Sequence, residues 1–173
     1  KKRLTEKTGM NNADFSADFT YFMNAFTRTE TPMQYTLHSA KSGKLVREIK
    51  DHLELLDIEK PSHFSPKELS TLEVNGNELN MWTIKPSEFD ESKEYPLLMF
   101  QYSGHGSQSV SNSYFNPNAY CYQFLAIQGS LIAFVDCRGT DFPGAAVHHV
   151  THAAFVNCDW YSPIAAPTAL VHV

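Results

Sequence analysis

Apolar residues along this chain gather in short segments punctuated by turn formers. Over residues 1 to 50 the segments are Thr20-Tyr21-Phe22-Met23-Asn24-Ala25-Phe26, Gln34-Tyr35-Thr36-Leu37-His38 and Leu45-Val46-Arg47-Glu48-Ile49, divided by Thr31-Pro32 and Lys41-Ser42-Gly43-Lys44. Strands recurring at roughly 8 to 12 residues predict an antiparallel meander. Asp51-His52-Leu53-Glu54-Leu55-Leu56-Asp57-Ile58 fits a short helix with Asp51 as its cap. Pro61 and Pro66 then interrupt the pattern and mark a domain boundary.

Beyond the prolines, the apolar positions of Glu68–Val74 and Glu78–Lys85 flank Asn75-Gly76, the strongest short-range hairpin signal. Pro86 to Glu94 is polar, and an aromatic-rich strand follows over Pro96 to Tyr102. Asn118 to Gln128 reads as a helix closed by Gly129. Leu131-Ile132-Ala133-Phe134-Val135-Asp136 is a further apolar strand. Strand, crossover helix and strand in succession predict a parallel βαβ unit.

A meander of about three strands buries too little surface to stand alone. It needs neighbours, as a single β-propeller blade does, because blades are small sheets stacked radially. No second copy of the unit occurs in the chain.

Composition narrows the function classes. At 42% hydrophobic and 13% aromatic residues the chain falls among globular proteins and not disordered ones. Its 173 residues suffice for one domain with a core, or for a small piece plus part of a second. A formal net charge of -5 gives no electrostatic reason to bind nucleic acid or an anionic membrane. No window approaches the about 18 apolar residues of a membrane span. Lys1-Lys2-Arg3 is not followed by the apolar stretch of a signal peptide, and no initiator Met is present, so the chain reads as a mature or excised segment. Cys121, Cys137 and Cys158 are odd in number and lack Cys-x-x-Cys spacing, which predicts buried free thiols and no disulfide framework.

Candidate chemistry concentrates where the strand Pro96–Tyr102 runs into Ser103-Gly104-His105-Gly106-Ser107-Gln108. In open α/β sheets ligands bind at the carboxyl edge of the strands, and the loop after the third strand of an α/β-hydrolase donates an oxyanion-hole group. Gly104 and Gly106 permit close backbone approach or positive φ. Neither G-x-G-x-x-G nor G-x-x-x-x-G-K-[ST] occurs, so phosphate binding has no support. Asp136 and Arg138 end the next strand, where a structural role fits best: a strand-end Asp satisfies backbone donors of the following turn. His148, His149 and His152 have helical i, i+3 and i, i+4 spacing, but no Glu lies between them as in His-Glu-x-x-His. A packed or solvated histidine cluster is the expectation, with no metal and no cofactor.

Taken together, Trp82-Thr83-Ile84-Lys85-Pro86 with Phe89-Asp90, Tyr95-Pro96-Leu97-Leu98, Gln101-Tyr102-Ser103-Gly104 and Val135-Asp136-Cys137-Arg138-Gly139-Thr140 resemble the S9 serine peptidases of the prolyl oligopeptidase clan. The likeness is greatest to the dipeptidyl peptidase IV branch. Phe15 to Phe22 resembles a last propeller blade, and the likeness runs from about Arg3 to about Gly144.

This resemblance implies an N-terminal part of an α/β-hydrolase domain over residues 61–173, incomplete, preceded over residues 1–60 by the last β-propeller blade and a connecting helix. It implies that Tyr102 donates its hydroxyl to the oxyanion. The parent would release Xaa-Pro or Xaa-Ala dipeptides from peptide amino termini, act as a homodimer, bind no nucleic acid, and reside in the periplasm or outside the cell.

The nucleophile elbow G-x-S-x-G is absent from these residues, and in α/β-hydrolases the triad follows the strands found here. The chain alone is therefore expected to lack the Ser-Asp-His triad and to be inactive. His105 stands where the family has proline, and Asp141 where a glycine follows the Arg-Gly-Thr turn. Beyond Arg138 no Lys or Arg occurs, and only Asp141 and Asp159 are acidic, unlike a natural surface helix. The alternative reading is a noncatalytic structural or protein-binding piece.

Overall fold

The computed structural model of the chain describes residues 4–74, 76–100 and 108–136. These form two compact units. The first holds the residues up to Phe64 together with Asn112–Ala119, and the second holds those from Ser65 to Ser111 and from Tyr120 onward.

The first unit is an antiparallel sheet in the order β1 (Met10–Phe15), β2 (Tyr21–Arg28), β3 (Thr31–Ser39), β4 (Leu45–Lys50). The sequence pattern predicts about three of these strands. β1 escapes it because Met10-Asn11-Asn12-Ala13-Asp14-Phe15 has no buried alternation. It is an edge strand held by its full register on β2, from Met10 opposite Thr27 to Phe15 opposite Phe22. β2 carries the alternation that orients the sheet: Phe22, Asn24 and Phe26 are buried while Tyr21 and Met23 are exposed. Phe22 stacks on the His38 ring opposite it, at 5.1 Å between centroids.

The helix expected at 51–58 is α1 (Glu54–Glu59), and Asp51 is not its N-cap. Leu53 occupies that position without a side-chain bond. His52 first takes a left-handed conformation, φ 53°, and Asp51 Oδ1 accepts from Leu53 N at 3.3 Å, so the side chain closes a turn ahead of the helix. His52 Nδ1 reaches Met33 O at 2.7 Å, which ties this turn to β3.

Hydrogen bonds join Asn112–Ala119 to the rest of the first unit. Thr29 N donates to Asn112 Oδ1 at 3.0 Å, Tyr114 N donates to Thr27 Oγ1 at 3.1 Å, and the Tyr114 hydroxyl donates to Glu59.

In the second unit β5 (Lys67–Val74) and β6 (Asn77–Ile84) form the expected hairpin, with Val74 opposite Asn77 and Gly76 at φ 75°. β7 (Leu97–Phe100) and β8 (Leu131–Val135) pair in parallel through α2 (Ala119–Ile127), as the βαβ reading requires. The strand order is β5-β6-β8-β7, with β6 antiparallel to β8.

A buried apolar cluster packs on each face of this sheet. Leu72, Val74, Leu79, Met81 and Val135 pack on one face, and Trp82, Ile84, Ile132 and Phe134 pack with Ala126 of α2 on the other. α2 closes as a Schellman motif: Gly129 N donates to Ala126 O at 2.9 Å and Ser130 N to Leu125 O at 3.0 Å, with Gly129 at φ 87°. Gln123 pins the start of the unit reciprocally. Its Oε1 accepts from Ser65 N at 3.0 Å and its Nε2 donates to Ser65 O at 2.8 Å. Cys121 is exposed, against the expectation of a buried thiol, because the inward face of α2 is formed by Ala126 with Tyr122 and Leu125. Cys137 and Cys158 lie outside the described residues.

Candidate functional site

The parallel pair β7 and β8 brings two strand ends to one edge. Phe100 stands opposite Phe134. Trp82, Phe134 and Phe100 stack across three strands, with centroids 4.0 Å and 4.7 Å apart. Such aromatic contacts contribute beyond the area that they bury. Lys67 Nζ lies 5.5 Å above the Trp82 ring, and burial draws its pKa down to about 8.

Asp136 follows β8 at 2% exposure. Its N donates to Asn80 O at 2.9 Å. Its Oδ1 accepts from Ser109 N at 2.7 Å and from Val110 N at 3.0 Å. Ser109 O in turn accepts from Trp82 Nε1 at 3.4 Å, and Val110 is buried beside Trp82 and Ile132. Loss of hydration raises the Asp136 pKa, opposed by the two backbone bonds. Oδ2 is buried without a partner among the described residues.

Among the described residues the donors to Asp136 come from the loop that follows β7, and the turn after Asp136, where its donors were expected, lies outside the described residues. Ser109 and Val110 escaped the sequence reading. The one available signal was Val110, a lone apolar residue within Ser107-Gln108-Ser109-Val110-Ser111-Asn112-Ser113. Tyr102, Gly104, His105, Gly106, Arg138, Asp141, His148, His149 and His152 lie outside the described residues.

In the first unit a cleft of about 390 Å³ is lined by Asn11, Asn24, Gln34, Thr36, His38 and Glu48 among others. Asn24 Nδ2 donates to Asn11 Oδ1 at 3.0 Å, while the His38 ring is held between Gly43 O at 3.0 Å and Thr36 Oγ1 at 2.9 Å. Both ring nitrogens are engaged by the fold, so this histidine is fixed as a structural group. Among the described residues no group of three or more His, Cys, Asp or Glu has a metal-ligating arrangement. None of the helices there is long and apolar enough to cross a membrane.

No family model matches the chain. It is 33% identical over 141 residues to a probable dipeptidyl-aminopeptidase B of Podospora anserina, covering 81% of this chain and 15% of the relative. It is 38% identical over 111 residues to the human prolyl endopeptidase FAP, covering 63% and 14%. Among solved structures it superposes on Porphyromonas gingivalis dipeptidyl peptidase 4 with a TM-score of 0.89 and 33% identity, over 98% of this chain and 24% of that one. The chain thus spans a small part of the length of the relatives it matches.

Proposed function

The chain belongs to the dipeptidyl peptidase IV-like branch of the S9 serine peptidases, and from that premise we propose that the full-length protein releases dipeptides from peptide amino termini. The observation that carries the reading is the superposition on dipeptidyl peptidase 4, which covers nearly the whole chain at 33% identity. The four-stranded antiparallel sheet β1–β4 fits a propeller blade. Residues 61–173 are read as the opening of an α/β-hydrolase domain. The hairpin β5–β6 and the parallel crossover β7-α2-β8 support this, because they lead the chain to the carboxyl ends of a sheet.

Within that domain Tyr102 is the oxyanion donor. Peptide hydrolysis by serine passes through a tetrahedral intermediate, and a phenol supplies a donor that is rigid up to its hydroxyl. The Ser-Asp-His triad belongs to other parts of the protein, since no G-x-S-x-G occurs in this sequence. The same reading makes proline or alanine the residue preceding the cut, the protein a homodimer, and its location the periplasm or the exterior.

Tyr102→Phe in the full-length protein tests the assignment on a Gly-Pro chromogenic substrate. The expected result is a fall in kcat of about 10²–10³-fold; wild-type turnover would remove Tyr102 from the oxyanion hole. The 173-residue chain alone is expected to show no turnover, and measurable hydrolysis would overturn the placement of the triad.

A further inference from the structure

α2 is apolar on the side that the sheet does not use. Ala126, Tyr122 and Leu125 face the core of the second unit. Tyr120, Phe124 and Ile127 recur at i, i+4 and i+7, the spacing of a single helix face, and are 50%, 60% and 45% exposed. No charged residue interrupts the helix. A surface helix turns charged residues outward, whereas a helix that is apolar all round is a buried one. Cys121, also exposed, lies on the same outer side, one turn before Phe124.

Magnitudes decide what covers this face. The helix is nine residues long, about 14 Å. Burying the exposed parts of two aromatic side chains and an isoleucine removes roughly 300 Å² from water. That falls well short of the about 800 Å² per partner typical of stable association between separate molecules. A segment of the same polypeptide needs no such area, because its tether supplies an effective concentration of up to about millimolar. The chain spans only 15% of a curated relative and 24% of dipeptidyl peptidase 4, so most of the length of such proteins lies outside it. A strand laid on these side chains would bury unpaired N–H and C=O groups, while a helix satisfies its own.

We propose that the outer face of α2 is a docking site for an amphipathic helix of the same polypeptide, from outside residues 1–173, seated on Tyr120, Phe124 and Ile127. The side-chain ridges of the two helices interlock there. In the 173-residue chain the face is open, and in the full-length protein it is an inner layer of the fold. The docking involves no catalytic group and is read without turnover, so its failure and a failure of the peptidase reading are separate results.

The test places photoreactive p-benzoylphenylalanine at position 124 of the full-length protein and identifies the cross-linked peptides by mass spectrometry. The expected product is an intramolecular link to a peptide outside residues 1–173. A link within residues 1–173, a link between two copies, or no link overturns the proposal.

Alkylation of Cys121 gives an independent readout. In the folded full-length protein Cys121 is expected to react at least about 10-fold more slowly than in urea, because the docked helix blocks access to the thiol. Phe124→Asp buries a charge beneath that helix and is expected to restore most of the lost rate. A wild-type Cys121 that reacts at its unfolded rate, or a slow one that Phe124→Asp leaves unchanged, overturns the proposal. Should Phe124→Asp not fold, the cross-link decides by itself.

Discussion

Asp18 and Asp136 are carboxylates whose surroundings move them in opposite directions. Asp18 sits in the open turn between β1 and β2, where bonds from Thr20 and Ser16 draw its pKa down to about 2. The folded state prefers the ionised form, so this stabilisation is complete above the ordinary value of 3.8 and is lost as pH falls from there through about 2. Asp136 is raised by burial, so the folded state prefers its protonated form. Its contribution is therefore greatest below 3.8 and diminishes as pH rises through its elevated pKa. NMR titration of the two carboxyl carbons should show Asp18 with a midpoint near 2 and Asp136 above 3.8; an Asp136 midpoint at or below 3.8 would contradict the burial seen here.

At the scale of elements, α2 and the strands beneath it separate packing from backbone effects. Trp82 is 1% exposed and stacks on Phe134, so Trp82→Ala should cost about 3–5 kcal/mol. Phe124 on the outer side of α2 is 60% exposed, and Phe124→Ser should change stability by no more than about 0.5 kcal/mol. Denaturant unfolding of the chain measures both. Gly129→Ala probes the helix end, where φ is 87° and an added Cβ meets nothing within 4 Å. With no clash to relieve, the expected loss of about 1–2 kcal/mol is the left-handed backbone term; a loss near zero would mean that the Schellman closure does not depend on glycine.

At the scale of the whole molecule, exposed apolar side chains set the behaviour of the chain when it is isolated. Met10, Tyr21, Met23, Val46 and Ile49 are exposed on the first sheet, and Tyr120, Phe124 and Ile127 on α2. Large exposed apolar side chains promote association where they gather into patches. The isolated chain should sediment above the monomer mass at micromolar concentration, and a purely monomeric species would show that these side chains are not sticky enough to act.

Much of the fold was legible in the sequence because it is local. The hairpin at Gly76, the αL close of α2 at Gly129 and the apolar run of β8 each depend on residues within a single short window. β1 was not legible, since its polar edge residues gain their strand conformation from pairing with β2. Asp51 misled for a related reason: a helix cap and a turn-closing aspartate look alike in sequence, and His52 in the left-handed region separates them.

By itself the sequence determined which segments are strand and helix, apart from β1, the βαβ order, and the motif set that marks the peptidase family. Only the tertiary structure decided that the carboxylate of Asp136 takes its donors from Ser109 and Val110, residues well upstream of it. The physical reason is register. Which backbone groups meet a strand-end side chain depends on how β7 and β8 align across the sheet, and alignment between distant strands is not encoded in any short stretch of chain.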